Sequence, residues 1–155
     1  MPYSQQKITQ YKNRKLNRAE YNHLRGSFCR VFGSDMKVGI QTATDDIFYY
    51  PDLHVSCEQA SNEHFNSEPK LIIEVLSGST ERKDRAEKFY NYRKLASLQD
   101  YVLVASDCQR VEIYSRSKVW ELTLFIQEAD GFSFDSVGLD LTLAEIYQDV
   151  EFTDP

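Results

Sequence analysis

The chain has 155 residues, 41% hydrophobic and 13% aromatic, and a formal net charge of −6. That length and composition predict one folded domain over 1–155 and exclude wholesale disorder. No apolar run approaches the roughly 20 residues needed to cross a bilayer, and the segment from Met1 to Gln6 lacks the apolar core of a signal peptide, so the expectation is a cytoplasmic protein without a membrane partner.

Residues 1–27 read as a basic helical N-terminal arm. Lys7, Lys12, Arg14, Lys15, Arg18 and Arg25 face the single acid Glu20, with Ile8, Tyr11, Leu16, Tyr21 and Leu24 as apolar anchors. A strand is expected over Phe28 to Phe32, a turn at Gly33-Ser34-Asp35, and a second strand over Met36 to Ile40. Thr44-Asp45-Asp46 reads as a hairpin tip leading into one long strand, Ile47 to Cys57, that carries Asp52. Cys29, Cys57 and Cys108 are odd in number and widely spaced, which predicts reduced thiols.

After a polar loop, Lys70 to Leu76 contains the most hydrophobic short run of the chain, Leu71-Ile72-Ile73-Glu74-Val75-Leu76, with a carboxylate inside it. The run predicts a strand buried on both faces. An unpaired charge there costs several kcal/mol unless a cation or hydrogen-bond donors meet it. A helix is expected from Ser79 or Thr80 through Ala96, with Glu81 and Asp84 suited to the positive end of its dipole. Asp100 to Ser106 is a further buried strand, and strand–helix–strand over this span predicts a parallel βαβ unit. Arg110 to Ser115 and Val119 to Ile126 read as an antiparallel pair, and Leu141 to Val150 as a closing helix.

Simple geometry links the helix to the buried acid. A strand climbs about 3.3 Å per residue and a returning helix descends about 1.5 Å per residue, which brings Lys88 level with Glu74. Asp84 and Tyr92 share its stripe, while Ala86, Phe89 and Tyr90 form a separate apolar one. Two acids, Asp52 and Glu74, on adjacent strands with a lysine beside them suit a hard divalent cation and phosphate chemistry. The cations clustered in 1–30 and 82–94 offer phosphates a basic face or serve as solvated helix faces; both readings are open. Val119 to Pro155 carries acids and no base.

The ordered set Tyr50-Pro51-Asp52-Leu53-His54-Val55, Pro69 to Ser77, Thr80, Asp84-Arg85 and Lys88 to Tyr92, followed by Asp100 to Val104 and Leu143 to Tyr147, resembles the Uma-type restriction endonuclease family of the PD-(D/E)xK nuclease superfamily. The resemblance implies an α/β restriction-endonuclease-like core, with a mixed central sheet, a crossover helix and flanking helices. It implies Mg²⁺-dependent hydrolysis of DNA, with Mn²⁺ as a substitute. Asp52 and Glu74 would be metal ligands, the Val75 carbonyl a further ligand, and Lys88 the lysine that assists attack by water. Leu76 occupies the superfamily's usual lysine position, and Asp35 matches an acidic position near the site. The other readings are a catalytically silent nucleic-acid-binding module and a protein-interaction module on the same fold. A homodimer is expected.

Overall fold

The computed structural model describes residues 16–19, 21–58 and 64–152; most of the predicted basic arm lies outside them. Its centre is a six-stranded mixed sheet. The strands are β1 (Arg30–Phe32), β4 (Leu53–Ser56), β5 (Leu71–Leu76), β6 (Asp100–Ala105), β7 (Val111–Ser115) and β8 (Leu122–Phe125), adjacent in that order. β5 and β6 are parallel, as the βαβ reading requires, and the other neighbours are antiparallel. Every residue of β5 and β6 is buried, which explains why both read as unbroken apolar runs rather than alternating ones.

Two hairpins stand off the sheet: β2 (Val38–Gln41) with β3 (Asp46–Tyr49), and β9 (Gly131–Phe134) with β10 (Leu139–Thr142). The crossover helix α1 runs as Glu81–Lys83, a π-helical turn Asp84–Lys88, and Phe89–Tyr92. The closing helix α2 is Leu143–Tyr147.

The two faces of the sheet are packed differently. On one, Leu16 and Leu24 of the helical stretches 16–19 and 21–24, with Phe132 and Phe134 of β9 and Leu143 and Ile146 of α2, cover Leu53, Val55, Ile73, Val102 and Val104. On the other, Val38, Ile40, Tyr49, Tyr92, Leu95 and Leu98 cover Ile72, Leu76, Tyr101 and Leu103. Each fully buried Leu, Ile or Val contributes about 1.5–3 kcal/mol, so both layers drive folding.

Four expectations are corrected. The strand predicted over Ile47 to Cys57 is two strands, β3 and β4, in different sheets. Pro51 has no N–H to donate and restricts Tyr50, so the ladder breaks there, leaving Asp52 at the break rather than within a strand. The closing helix is half its predicted length, because Leu139–Thr142 pairs with β9. A capping box starts that helix: the Glu145 N–H donates to Thr142 Oγ1 (3.2 Å) and the Thr142 N–H donates to Glu145 Oε2 (2.7 Å). α1 stops at Tyr92, short of the predicted end at Ala96; it turns Asp84, Asn91 and Tyr92 inward, and Phe89 of the apolar stripe packs on Tyr101 and Tyr114 while Ala86 and Tyr90 stay outside. Finally, Cys29 and Cys57 form a disulfide. The β1–β4 register pairs Arg30 with Ser56, which sets the two cysteines opposite each other one step further out, with Cα atoms 3.8 Å apart. This removes one ground for a cytoplasmic location. No helix among the described residues is long and apolar enough to cross a membrane.

Candidate active site

The break at Pro51 delivers Asp52 to the edge of β5 next to Glu74. The Val75 N–H donates to Asp52 Oδ2 at 2.7 Å, which ties the Asp52 carboxylate to the residue after Glu74. In an extended strand the N–H and C=O of one residue point the same way, so the Val75 carbonyl lies on the Asp52 side of β5.

Glu74 is 2% exposed and projects toward α1. Lys88 Nζ is 3.4 Å from Glu74 Oε1 and 2.8 Å from Asp84 Oδ1, and the Tyr92 hydroxyl donates to Glu74 Oε1 at 3.4 Å. The lysine thus lies level with the buried acid, as the strand and helix rises predict. The π-helical turn ends on Lys88, a local widening that often accompanies functional positions. Tyr101 donates its hydroxyl to the Asp84 carbonyl at 2.8 Å, fixing that turn to β6. Tyr49 of β3 accepts from Asn91 Nδ2 (2.8 Å), donates to Glu87 (3.1 Å) and packs edge-on against Tyr92, tying the β2–β3 hairpin to the same helix.

Electrostatics follow from this burial. Desolvation pushes the Glu74 carboxyl up to about 8; Lys88 opposes the shift, while Asp52 and Asp84 add to it. Burial works against the Lys88 ammonium, but Glu74 and Asp84 outweigh it and hold the lysine above its ordinary value. Burial, reinforced by Glu74, also drives the Tyr92 phenol strongly upward.

The opening lies beside Asp52. A cleft of about 390 Å³ is lined by Asn17, Arg18, Tyr21, Gly33, Ser34, Asp52 and Leu53. Asp52 therefore faces solvent while Glu74 sits behind it. Asp35 is exposed in the turn after β1, and among the described residues no third His, Cys, Asp or Glu joins the pair in a metal-ligating group. Two carboxylates and a main-chain carbonyl are hard oxygen donors, a sparse set that fits Mg²⁺, which keeps several of its own waters. The crowding of Asp52 and Asp84 around Glu74 is the kind of charge a divalent cation relieves.

Sequence reasoning left His54 unassigned. It is fully buried two residues past Asp52 and stacks on Phe32 with ring centroids 4.9 Å apart. Neither ring nitrogen has a hydrogen-bond partner among the described residues, and burial lowers its pKa to about 4. A histidine two residues past the acid of the Pro51-Asp52 pair was the available signal. Arg18 and Tyr21, at the cleft, lie too far away in sequence to be found without the fold.

A six-stranded mixed sheet with an acid pair at a strand break and a lysine on the crossover helix defines a nuclease-like α/β fold. Residues 1–144 match the family model described as "Uma2: Putative restriction endonuclease", and the chain belongs to that family. It is 35% identical over 134 residues to the uncharacterized protein slr1290 of Synechocystis, covering 84% of this chain and 70% of that protein. It is 36% identical over 104 residues to the uncharacterized protein sll1609 of the same organism, covering 63% of this chain and 58% of that protein. The crystal structure of a nuclease from Anabaena variabilis, described as putative and belonging to DUF820, superposes with a TM-score of 0.75 at 16% identity. The match covers 90% of this chain and 80% of that one, and shows the same fold.

Proposed function

We propose that the chain is a Mg²⁺-dependent endonuclease that hydrolyses phosphodiester bonds in DNA, with Mn²⁺ able to substitute. The observation that carries this reading is Asp52 held against β5 by the Val75 N–H, next to the buried Glu74, with Lys88 bridging Glu74 and Asp84. Asp52, Glu74 and the Val75 carbonyl would hold the ion, which when bound polarises a phosphate oxygen and acidifies a bound water. Lys88, charged at neutral pH, orients the water and neutralises charge developing on the phosphate rather than abstracting a proton. Arg18, Asn17 and Ser34 supply donors along the cleft by which a phosphate would reach Asp52.

One observation favours a second reading, a metal-independent nucleic-acid-binding module on the same fold. Glu74 is almost inaccessible and holds its proton to about pH 8, and a protonated carboxyl does not ligate a metal. Cleavage of labelled single- and double-stranded DNA with Mg²⁺ or Mn²⁺, comparing wild type with Glu74→Gln, separates the two. Metal-dependent cutting lost in the variant supports the nuclease. Salt-sensitive binding without cutting in either protein supports the binding module.

A further inference from the structure

Two surface hollows meet at a single side chain. The cleft beside Asp52, about 390 Å³, lies between the helical stretch 16–19 and the turn after β1. A second hollow of about 370 Å³ follows β1 itself, between residues 24–27 and 29–32. Tyr21 lines both and is the wall they share, so the two form one track along the edge of the sheet, from Asp52 to Arg30. Arg18 stands in the first hollow and Arg25 and Arg30 in the second. All three are exposed, and none is in an ion pair among the described residues. Asp52 is the one acid among the described residues that line the track. On a chain of net charge −6, three unpaired arginines along one path complement a phosphate backbone.

Tyr21 decides which form of nucleic acid fits. It is 61% exposed and makes no ring contact among the described residues, and Arg18, Tyr21 and Arg25 are spaced three and four apart, as side chains on one helical face are. An exposed ring between two hollows is a stacking surface for a base, and a base offers its face only outside a duplex. Each hollow is at the lower end of the roughly 300–1,000 Å³ typical of small-molecule sites, room for a nucleotide but not for a double helix. The Cys29–Cys57 bond pins β1 to β4, so this wall of the track is held although it pairs over only three residues. We propose that the track binds an unpaired DNA strand, with one base stacked on Tyr21 and the flanking phosphates on Arg18 to one side and on Arg25 and Arg30 to the other. The proposal rests on the reading of Asp52 as part of a nuclease site and adds its substrate class: the strand that reaches Asp52 is single.

Fluorescence anisotropy of labelled oligonucleotides with the full chain in EDTA tests this without reference to cleavage. An unstructured strand of thymidylates is expected to bind at least about 10-fold more tightly than a duplex of equal length. Tyr21→Ala should weaken single-strand binding about 10-fold or more; Tyr21→Phe, which keeps the ring, should bind like wild type, and duplex binding should not move. A strand of abasic sugar phosphates should erase the difference between wild type and Tyr21→Ala. Arg25→Gln with Arg30→Gln should flatten the dependence of log Kd on log salt concentration by about 0.7 per arginine. These side chains are exposed, and far-UV circular dichroism checks that each variant is folded. Equal affinity for duplex, a Tyr21→Ala protein that binds like wild type, an unchanged salt slope, or no binding at all overturns the proposal. Its failure is distinct from that of the nuclease reading. Metal-dependent cutting of duplex that survives Tyr21→Ala keeps the nuclease and removes the track, whereas Tyr21-dependent single-strand binding by a protein that never cuts keeps the track alone.

Discussion

Two ion-pair clusters bridge the same helix to the same sheet, and they are built to different standards. Arg85 reaches Glu112 of β7 with both nitrogens of its fork, at 2.7 and 2.6 Å, and its Nε reaches Glu81 at 2.9 Å. Three residues along, Lys88 meets Glu74 at 3.4 Å, and so does Tyr92. The first cluster is short and bidentate, as a structural clamp should be. The second holds the more deeply buried acid at longer range, while Lys88 meets Asp84 at 2.8 Å. Adjacent ion pairs on one helix can therefore be told apart by how closely the cation holds its acid.

The comparison breaks most sharply on activity. Asp52→Asn or Glu74→Gln is expected to lower cleavage by about 10³-fold or more, with the melting temperature of Glu74→Gln held or raised at neutral pH, because the wild-type carboxyl must take up a proton to be buried. Glu112→Ala is expected to do the reverse. It removes the buried acid that Arg85 grips, while Arg85 keeps Glu81 and solvent, and costs about 1.5–3 kcal/mol of stability in denaturant titration, while cleavage per folded molecule stays unchanged. Lys88→Met should reduce kcat by about 10²-fold and leave DNA affinity near wild type, which a binding assay in Ca²⁺ reads directly.

A pH titration sharpens the contrast further. Glu74 has a folded-state pKa of about 8, above the unfolded value near 4.5, so its contribution is fully present below about 4.5 and is lost as pH rises through 8. Metal-free wild type should therefore lose stability relative to Glu74→Gln between those limits, by at most about 1.4 kcal/mol per pH unit, and Mg²⁺ should reverse the loss with release of a proton. The smallest effect concerns the loop before β8. Val119 is 84% exposed with φ of 55°, a conformation that a β-branched residue rarely adopts. Val119→Asn is expected to raise stability by about 0.5–1 kcal/mol in the same denaturant titration.

Much of this was legible in the chain. β5 and β6 are apolar throughout because both their faces are covered, and that run made Glu74 conspicuous. The level of Lys88 followed from two constants, the rise of a strand and that of a helix. Asp52 was identified, but its position was misread: Pro51 breaks the ladder where alternation alone suggested one long strand. The hairpin at 131–142 was missed because Phe132 and Phe134 alternate too briefly to stand out from the loops around them.

What the sequence determined by itself is local: burial from composition, periodicity from spacing, and the reach of a side chain from the rise of its element. These depend on neighbours along the chain. Tertiary structure alone decided which partners meet across it. The β1–β4 register joined Cys29 to Cys57, residues 28 apart in the chain, and the sheet order put β1 and β8 at its two edges. The helical stretch 16–19 reached the cleft at Asp52 through packing on the far face of the sheet. Strand order and register depend on how whole faces bury one another, and no short window of residues carries that information.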